Sequence, residues 1–196
     1  MTRATSNPTT REVWSNGWAV VWDDLRFPAQ TVKLDSTNPP TATAYKWGSV
    51  LSFASTPSQK IYFNAQLPHG YKLGTDLDFH IHIVLPVSWS GSWAENVKFD
   101  FTYSWAAIGA DFPAETTITA TRDVQNDTAD NHIIFDIWDV LNSNMVWSWG
   151  VSEMLICSLK RDTWVANDYA NAVYLLEADF HYQADQIGSL LEYSKS

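Results

Sequence analysis

Along residues 77–87 apolar and polar side chains take turns. Leu77, Phe79, Ile81, Ile83, Leu85 and Val87 fall in one register, and Asp78, His80 and His82 in the other. Strand side chains alternate between two faces, so this period of two predicts a strand with one face in a core and one turned outward. The same pattern recurs over residues 96–107, with Val97, Phe99, Phe101, Tyr103 and Trp105 inward and Lys98, Asp100, Thr102 and Ser104 outward. Residues 172–183 repeat it, with Tyr174, Leu176, Ala178, Phe180 and Tyr182 on one side and Glu177, Asp179 and His181 on the other. Ile133, Phe135 and Ile137 alternate with Ile134, Asp136 and Trp138.

Weaker patterns fill the intervals. Residues 45–54 and 60–67 predict strands separated by the Ser55–Ser58 turn, residues 116–122 a threonine-rich strand, and 153–161 another. Pro28, Pro39 and Pro40 punctuate a loop-rich stretch in which Val32 and Leu34 pair as a short edge strand. Trp14, Trp18 and Trp22 are spaced by four, but Gly17 and the Ala19–Val21 run favour a strand or irregular packing over a helix. Residues 140–151, with Asn142, Ser143 and Asn144, read as a short helical or irregular passage. Eight or nine strands and no amphipathic helix of three turns predict an all-β protein. The expected architecture is an antiparallel β-sandwich, a single jelly roll first and an open barrel second. Residues 1–10 are polar and read as a flexible arm; residues 11–196 form one sandwich domain.

Composition narrows the function. A chain of 196 residues can bury a true core. Its 12 basic and 22 acidic residues give a formal charge of −10, and no basic stripe is present to neutralise phosphates, so nucleic acid is not an expected partner. No signal peptide and no apolar run long enough for a bilayer are visible, so the expected product is soluble, made in a cytosol and without a membrane partner. Cys157 is the one cysteine, which excludes an intramolecular disulfide and a cysteine-based zinc site. Its apolar neighbours Leu155 and Ile156 suggest a buried, inert thiol. Eleven tryptophans suit interfaces and sugar stacking alike.

The chemical hints are few. His80 and His82, two apart on one strand face, can both reach one metal ion, as the paired histidines of metal-binding cupins do. His181, with Glu177 and Asp179, completes a ligand set if its strand is a neighbour. The later glutamate and histidine of the cupin pattern are not reproduced at their spacings, so the preferred reading is a polar face hydrogen-bonding across a sheet or a subunit boundary. No metal or other cofactor is expected. Carboxylate pairs such as Asp23–Asp24, Asp76/Asp78 and Glu177/Asp179 read as a solvated acidic face, since strand spacing does not set two carboxyls across a cleft. There is no Gly-x-Ser-x-Gly elbow and no glycine-rich phosphate cradle, and the expectation is a protein without catalytic residues. Trp89 and Trp93 flank a Ser-Gly-Ser loop, and like Trp147 and Trp149 they serve a partner interface before a sugar. The expected interface residues are Trp89, Trp93, His80, His82, Asp179 and His181.

The strings Gln66-Leu-Pro-His-Gly-Tyr-Lys-Leu-Gly-Thr-Asp-Leu77 and Phe79-His-Ile-His82 resemble those of a group of tailed-bacteriophage virion proteins. So do Asp179-Phe-His-Tyr182, Ile187-Gly-Ser189, Glu192-Tyr193 and Lys195. The resemblance runs from about Lys60 to the end of the chain and is thin before it. It implies a virion component made in a bacterial host. The first expectation is a capsid decoration (cement) protein, commonly a homotrimer, bound to the major capsid protein or other virion proteins. The alternative is a carbohydrate- or receptor-binding part of a fibre or tail, with a cupin-like metalloprotein third.

Overall fold

The computed structural model describes residues 21–88, 95–137, 150–163, 165–185 and 187–188. Among them the strands are β1 (Val21–Pro28), β2 (Lys33–Leu34), β3 (Thr41–Tyr45), β4 (Gly48–Phe53), β5 (Gln59–Gln66) and β6 (Leu77–Val84). They continue with β7 (Asn96–Ala106), β8 (Thr116–Asp123), β9 (His132–Asp136), β10 (Met154–Asp162) and β11 (Val173–Ala184). No helix occurs among the described residues. One antiparallel sheet runs β3-β4-β11-β6-β9 and the other β2-β5-β10-β7-β8. From β4 to β11 the chain changes sheet at every step except β7 to β8, which are hydrogen-bonded neighbours. That ordering, β4-β11-β6-β9 facing β5-β10-β7-β8, is a jelly roll.

Alternation explains why the two sheets close on each other. Leu77, Phe79, Ile81 and Ile83 of β6 meet Val97, Phe99, Phe101 and Tyr103 of β7 in one buried core. Phe79 and Phe101 stack with centroids 4.0 Å apart, and Phe63 and Phe180 complete an aromatic knot drawn from both sheets. Cys157 is buried inside, and burial pushes its thiol pKa up, as expected of an inert packing residue. The opposite faces of both sheets point away from the core.

Several local expectations change. The strand expected over residues 45–54 is β4, beginning at Gly48; Thr41–Tyr45, not assigned from sequence, forms β3, and the two make a hairpin turning at Lys46 and Trp47. Lys46 takes a left-handed φ of 52° there without being glycine or asparagine, so no turn residue marks the tip itself. Pro28 closes strand β1 instead of punctuating a loop. The alternation in β11 breaks at a bulge between Leu175 and Glu177. Leu175 therefore enters the core, and Tyr174, expected inside, packs edge-on against Tyr45 at 5.6 Å. Val87, also expected inside, is exposed beyond the end of β6. The arm assigned to residues 1–10 and the passage at 140–149 lie outside the described residues.

Candidate functional site

The bulge matters because it sets which β11 side chains face outward beside β6. Strand β11 is flanked by β6 along one edge, and by β4 and then β1 along the other. Reading across the sheet, one row is Arg26, Asp179, His80, Asp136. Its neighbours are Asp24, His181, Asp78 on one side and Pro28, Glu177, His82, Ile134 on the other. His132 follows at the end of β9, opposite Val84. Four imidazoles and five carboxylates thus share the outward face of one sheet.

At its centre the side chains converge. His80 Nε2 lies 2.9 Å from Asp179 Oδ1, His82 Nε2 3.5 Å from Asp179 Oδ2, and the two Nε2 atoms 3.2 Å from each other. His82 turns its other nitrogen, Nδ1, to His132 Nε2 at 2.6 Å, with the rings stacked. His181 crosses His80 edge-on with centroids 4.1 Å apart and points Nε2 at Asp24 Oδ1, 2.8 Å away. The Asp179 side chain is only 2% exposed and that of His80 only 5%, while that of His82 is 20% exposed. Arg26 is not spent on Asp179: its guanidinium forks onto Glu177, with Nη2 donating to Oε2 at 2.8 Å and Nε to Oε1.

Burial and charge compete at His80. Desolvation disfavours the imidazolium, but the adjacent Asp179 carboxylate, with the charges of Asp136 and Asp24 behind it, prevails and raises its pKa. Asp179 Oδ1 is buried and, although His80 is near, receives no hydrogen bond of good geometry. Such a carboxylate wants a positive charge on the line between the two rings. Either a proton or a metal ion bound by the imidazoles supplies one.

Of the expected interface residues, the fold brings His80, His82, Asp179 and His181 together, while Trp89 and Trp93 lie outside the described residues. Asp24, read from sequence only as half of a solvated acidic pair, and His132, not singled out at all, also belong to the cluster. The alternation of His132, Ile134 and Asp136 with Ile133 and Phe135 puts His132 on an outward face. Nothing local says that this face adjoins His82.

A second feature also escaped the sequence reading. Trp47, at the tip of the β3–β4 hairpin, is fully exposed. Its hairpin is pinned from below, because Tyr45 Oη donates to Asp130 Oδ1 at 2.9 Å and Lys46 Nζ to Asp130 Oδ2 at 2.8 Å. On the outward face of the other sheet, a depression of about 310 Å³ lies between Tyr62, Ile156 and Phe112, floored by Thr102, Ser104 and Ser158.

No protein-family model matches the sequence, and no curated protein matches it. Among solved structures, a match is found to a family 11 carbohydrate-binding module from Clostridium thermocellum in complex with a β-1,3-1,4-mixed-linked tetrasaccharide. It is 13% identical, covers 85% of this chain and 92% of that one, and has a TM-score of 0.33. A likeness at that level supports no argument about function.

Proposed function

We propose that the chain is a non-catalytic structural protein of a tailed-bacteriophage virion, a decoration protein that self-associates and docks on the major capsid shell. Support comes first from where the resembling strings fall. Phe79–His82 and Asp179–Tyr182 occupy the paired central strands β6 and β11, and Gln66–Leu77 is the connection that delivers β6. The observation that carries the docking role is Trp47. A hairpin tied to Asp130 through Tyr45 and Lys46, presenting a whole indole to water, exposes apolar area from which a lone domain gains nothing. Buried in a partner's pocket, such an anchor dominates an interface.

The test is to purify virions from the encoding phage and quantify the protein in them. Stoichiometric recovery, and density for it on a particle reconstruction, is the expected result. Its absence from purified particles overturns the reading. Trp47→Ala is expected to leave the circular dichroism spectrum unchanged and to strip the protein from the shell. In isolation the protein should run on light scattering as a homotrimer of its 22.2 kDa chain.

The depression at Tyr62, Phe112 and Ile156 favours a second reading, a carbohydrate- or receptor-binding module of a fibre or tail. It pairs aromatic faces with hydroxyls, the combination that receives a sugar. Glycan binding abolished by Tyr62→Ala or Phe112→Ala supports that reading, and a blank glycan array removes it.

A further inference from the structure

Strands β6 and β11 present His80 Nε2, His82 Nε2 and the Asp179 carboxylate to a single point in space. His80 Nε2 lies 3.2 Å from His82 Nε2 and 2.9 Å from Asp179 Oδ1, and His82 Nε2 lies 3.5 Å from the other carboxylate oxygen, Oδ2. A first-row divalent ion bonded at about 2.0–2.1 Å sets neighbouring ligand atoms about 2.9–3.4 Å apart, depending on whether the geometry is octahedral or tetrahedral. The two nitrogens and the His80–Asp179 pair already have that spacing, and the His82–Asp179 pair lies just beyond it.

Three further features are those a metal centre needs. Asp179 is almost wholly buried, with Oδ1 accepting no hydrogen bond of good geometry, so it offers an unspent anionic donor aimed between the rings. Its nearest guanidinium, Arg26, is already engaged with Glu177. His82 holds His132 through Nδ1, and with the proton on Nδ1 its Nε2 lone pair is free for the site. An outer partner that fixes a ligating histidine in one tautomer is a regular part of metal sites. Two imidazoles and one carboxylate suit zinc and its neighbours over magnesium or calcium, which prefer oxygen.

We infer that His80, His82 and Asp179 bind one zinc-class divalent ion on the outward face of the β-sandwich, with His132 orienting His82. The ion ties β6 to β11 at the centre of the sheet. Three protein ligands leave at least one position open to water or to a partner's side chain. The site stands independently of the virion role, since it rests on three side chains and not on what the domain docks against.

The experiment uses untagged, full-length protein stripped with chelator and titrated with zinc chloride by calorimetry. One saturable equivalent is expected, with a dissociation constant at or below micromolar and a rise in the thermal midpoint that levels off at one equivalent. His82→Gln, at the more exposed of the two histidines, should weaken binding at least a hundredfold, and Asp179→Asn at least as much. His69→Gln, away from the cluster, should leave binding unchanged. X-ray absorption of the zinc-loaded wild type should count two imidazole ligands, a readout that needs no variant to fold. No saturable binding to the folded wild type, equal binding by His82→Gln, or fewer than two imidazoles at the metal each overturns the inference.

Discussion

Among the described residues, Arg161 is the largest side chain that the core encloses completely. It survives there because both terminal nitrogens are engaged, though the buried Nε has no partner among those residues: Nη1 donates to Phe53 O at 3.0 Å and Asn171 O at 2.7 Å, and Nη2 to Tyr169 O at 2.5 Å. Burial lowers its pKa and Asp168 works the other way, its Oδ1 lying 3.6 Å from Nη2. One guanidinium thus ties the ends of β4 and β10 to the loop before β11. Arg161→Met leaves three carbonyls, two of them in buried bonds, without their donor and is expected to cost about 3–5 kcal/mol in urea unfolding. A loss under 1 kcal/mol would show that water reaches these carbonyls. Asp35 gives a pH prediction of defined sign. It accepts from Asn38 N at 2.8 Å, from Tyr62 Oη at 2.8 Å and from Thr37 N at 2.9 Å, and these bonds lower its pKa from 3.8 to about 2. A pKa depressed by folding contributes stability in full above the unfolded value and loses it as pH falls through the folded one. The wild type's advantage over Asp35→Asn should therefore shrink between about pH 4 and pH 2, and its carboxyl resonance should titrate near the lower end. An advantage independent of pH across that window would refute the assignment.

At the scale of elements, β11 shows how a single residue decides which side chains enter the core. Its bulge at Leu176 lets Val173 and Leu175 face the core on one side of the break while Ala178 and Phe180 do so on the other. Leu176 O also accepts from Ala29 N at 3.0 Å, anchoring the chain where β1 ends. Deleting Leu176 removes the extra residue and leaves Leu175, opposite Ile83, directly before Glu177, opposite His82, so both halves of the strand keep their faces. The expected loss is small, about 1 kcal/mol for the missing bond from Ala29 N. A loss above about 3 kcal/mol in urea unfolding would show that the core depends on the bulge itself. Simple alternation made β6, β7 and β9 legible from sequence, because an unbroken period of two needs no partner to be read. It misled in β11, where an inserted residue is invisible until the neighbouring strand is seen. It also missed β3, whose Thr-Ala-Thr-Ala run carries no large apolar side chain to mark a core face and whose turn takes its left-handed conformation at Lys46 rather than at a glycine. The metal-binding triad lay between these cases. His80 and His82 declared a shared face on their own, but Asp179 joins them only because the jelly roll returns its last strand beside β6, nearly a hundred residues later.

For the molecule as a whole, the proposed trimer must form against its own charge. Each copy carries a formal −10, so three copies bring together three times that, and no basic stripe offsets it. Exposed apolar side chains such as Trp47, Trp22 and Ile156 supply a contact that does not depend on ionic pairing. Under those two conditions repulsion is the salt-sensitive part of assembly. Its reach contracts from roughly 20 Å near 0.02 M salt to about 6 Å at 0.3 M. Association should therefore tighten as sodium chloride is raised across that range, by sedimentation equilibrium at neutral pH. The opposite trend would place charge pairs at the interface, with Arg26–Glu177 or Lys160–Asp100 exchanging partners between copies in place of their present bonds within one chain. Loss of association in Trp47→Ala at every salt concentration would assign the hairpin tip to self-contact. Retention of the trimer together with loss of shell binding would assign it to the capsid side.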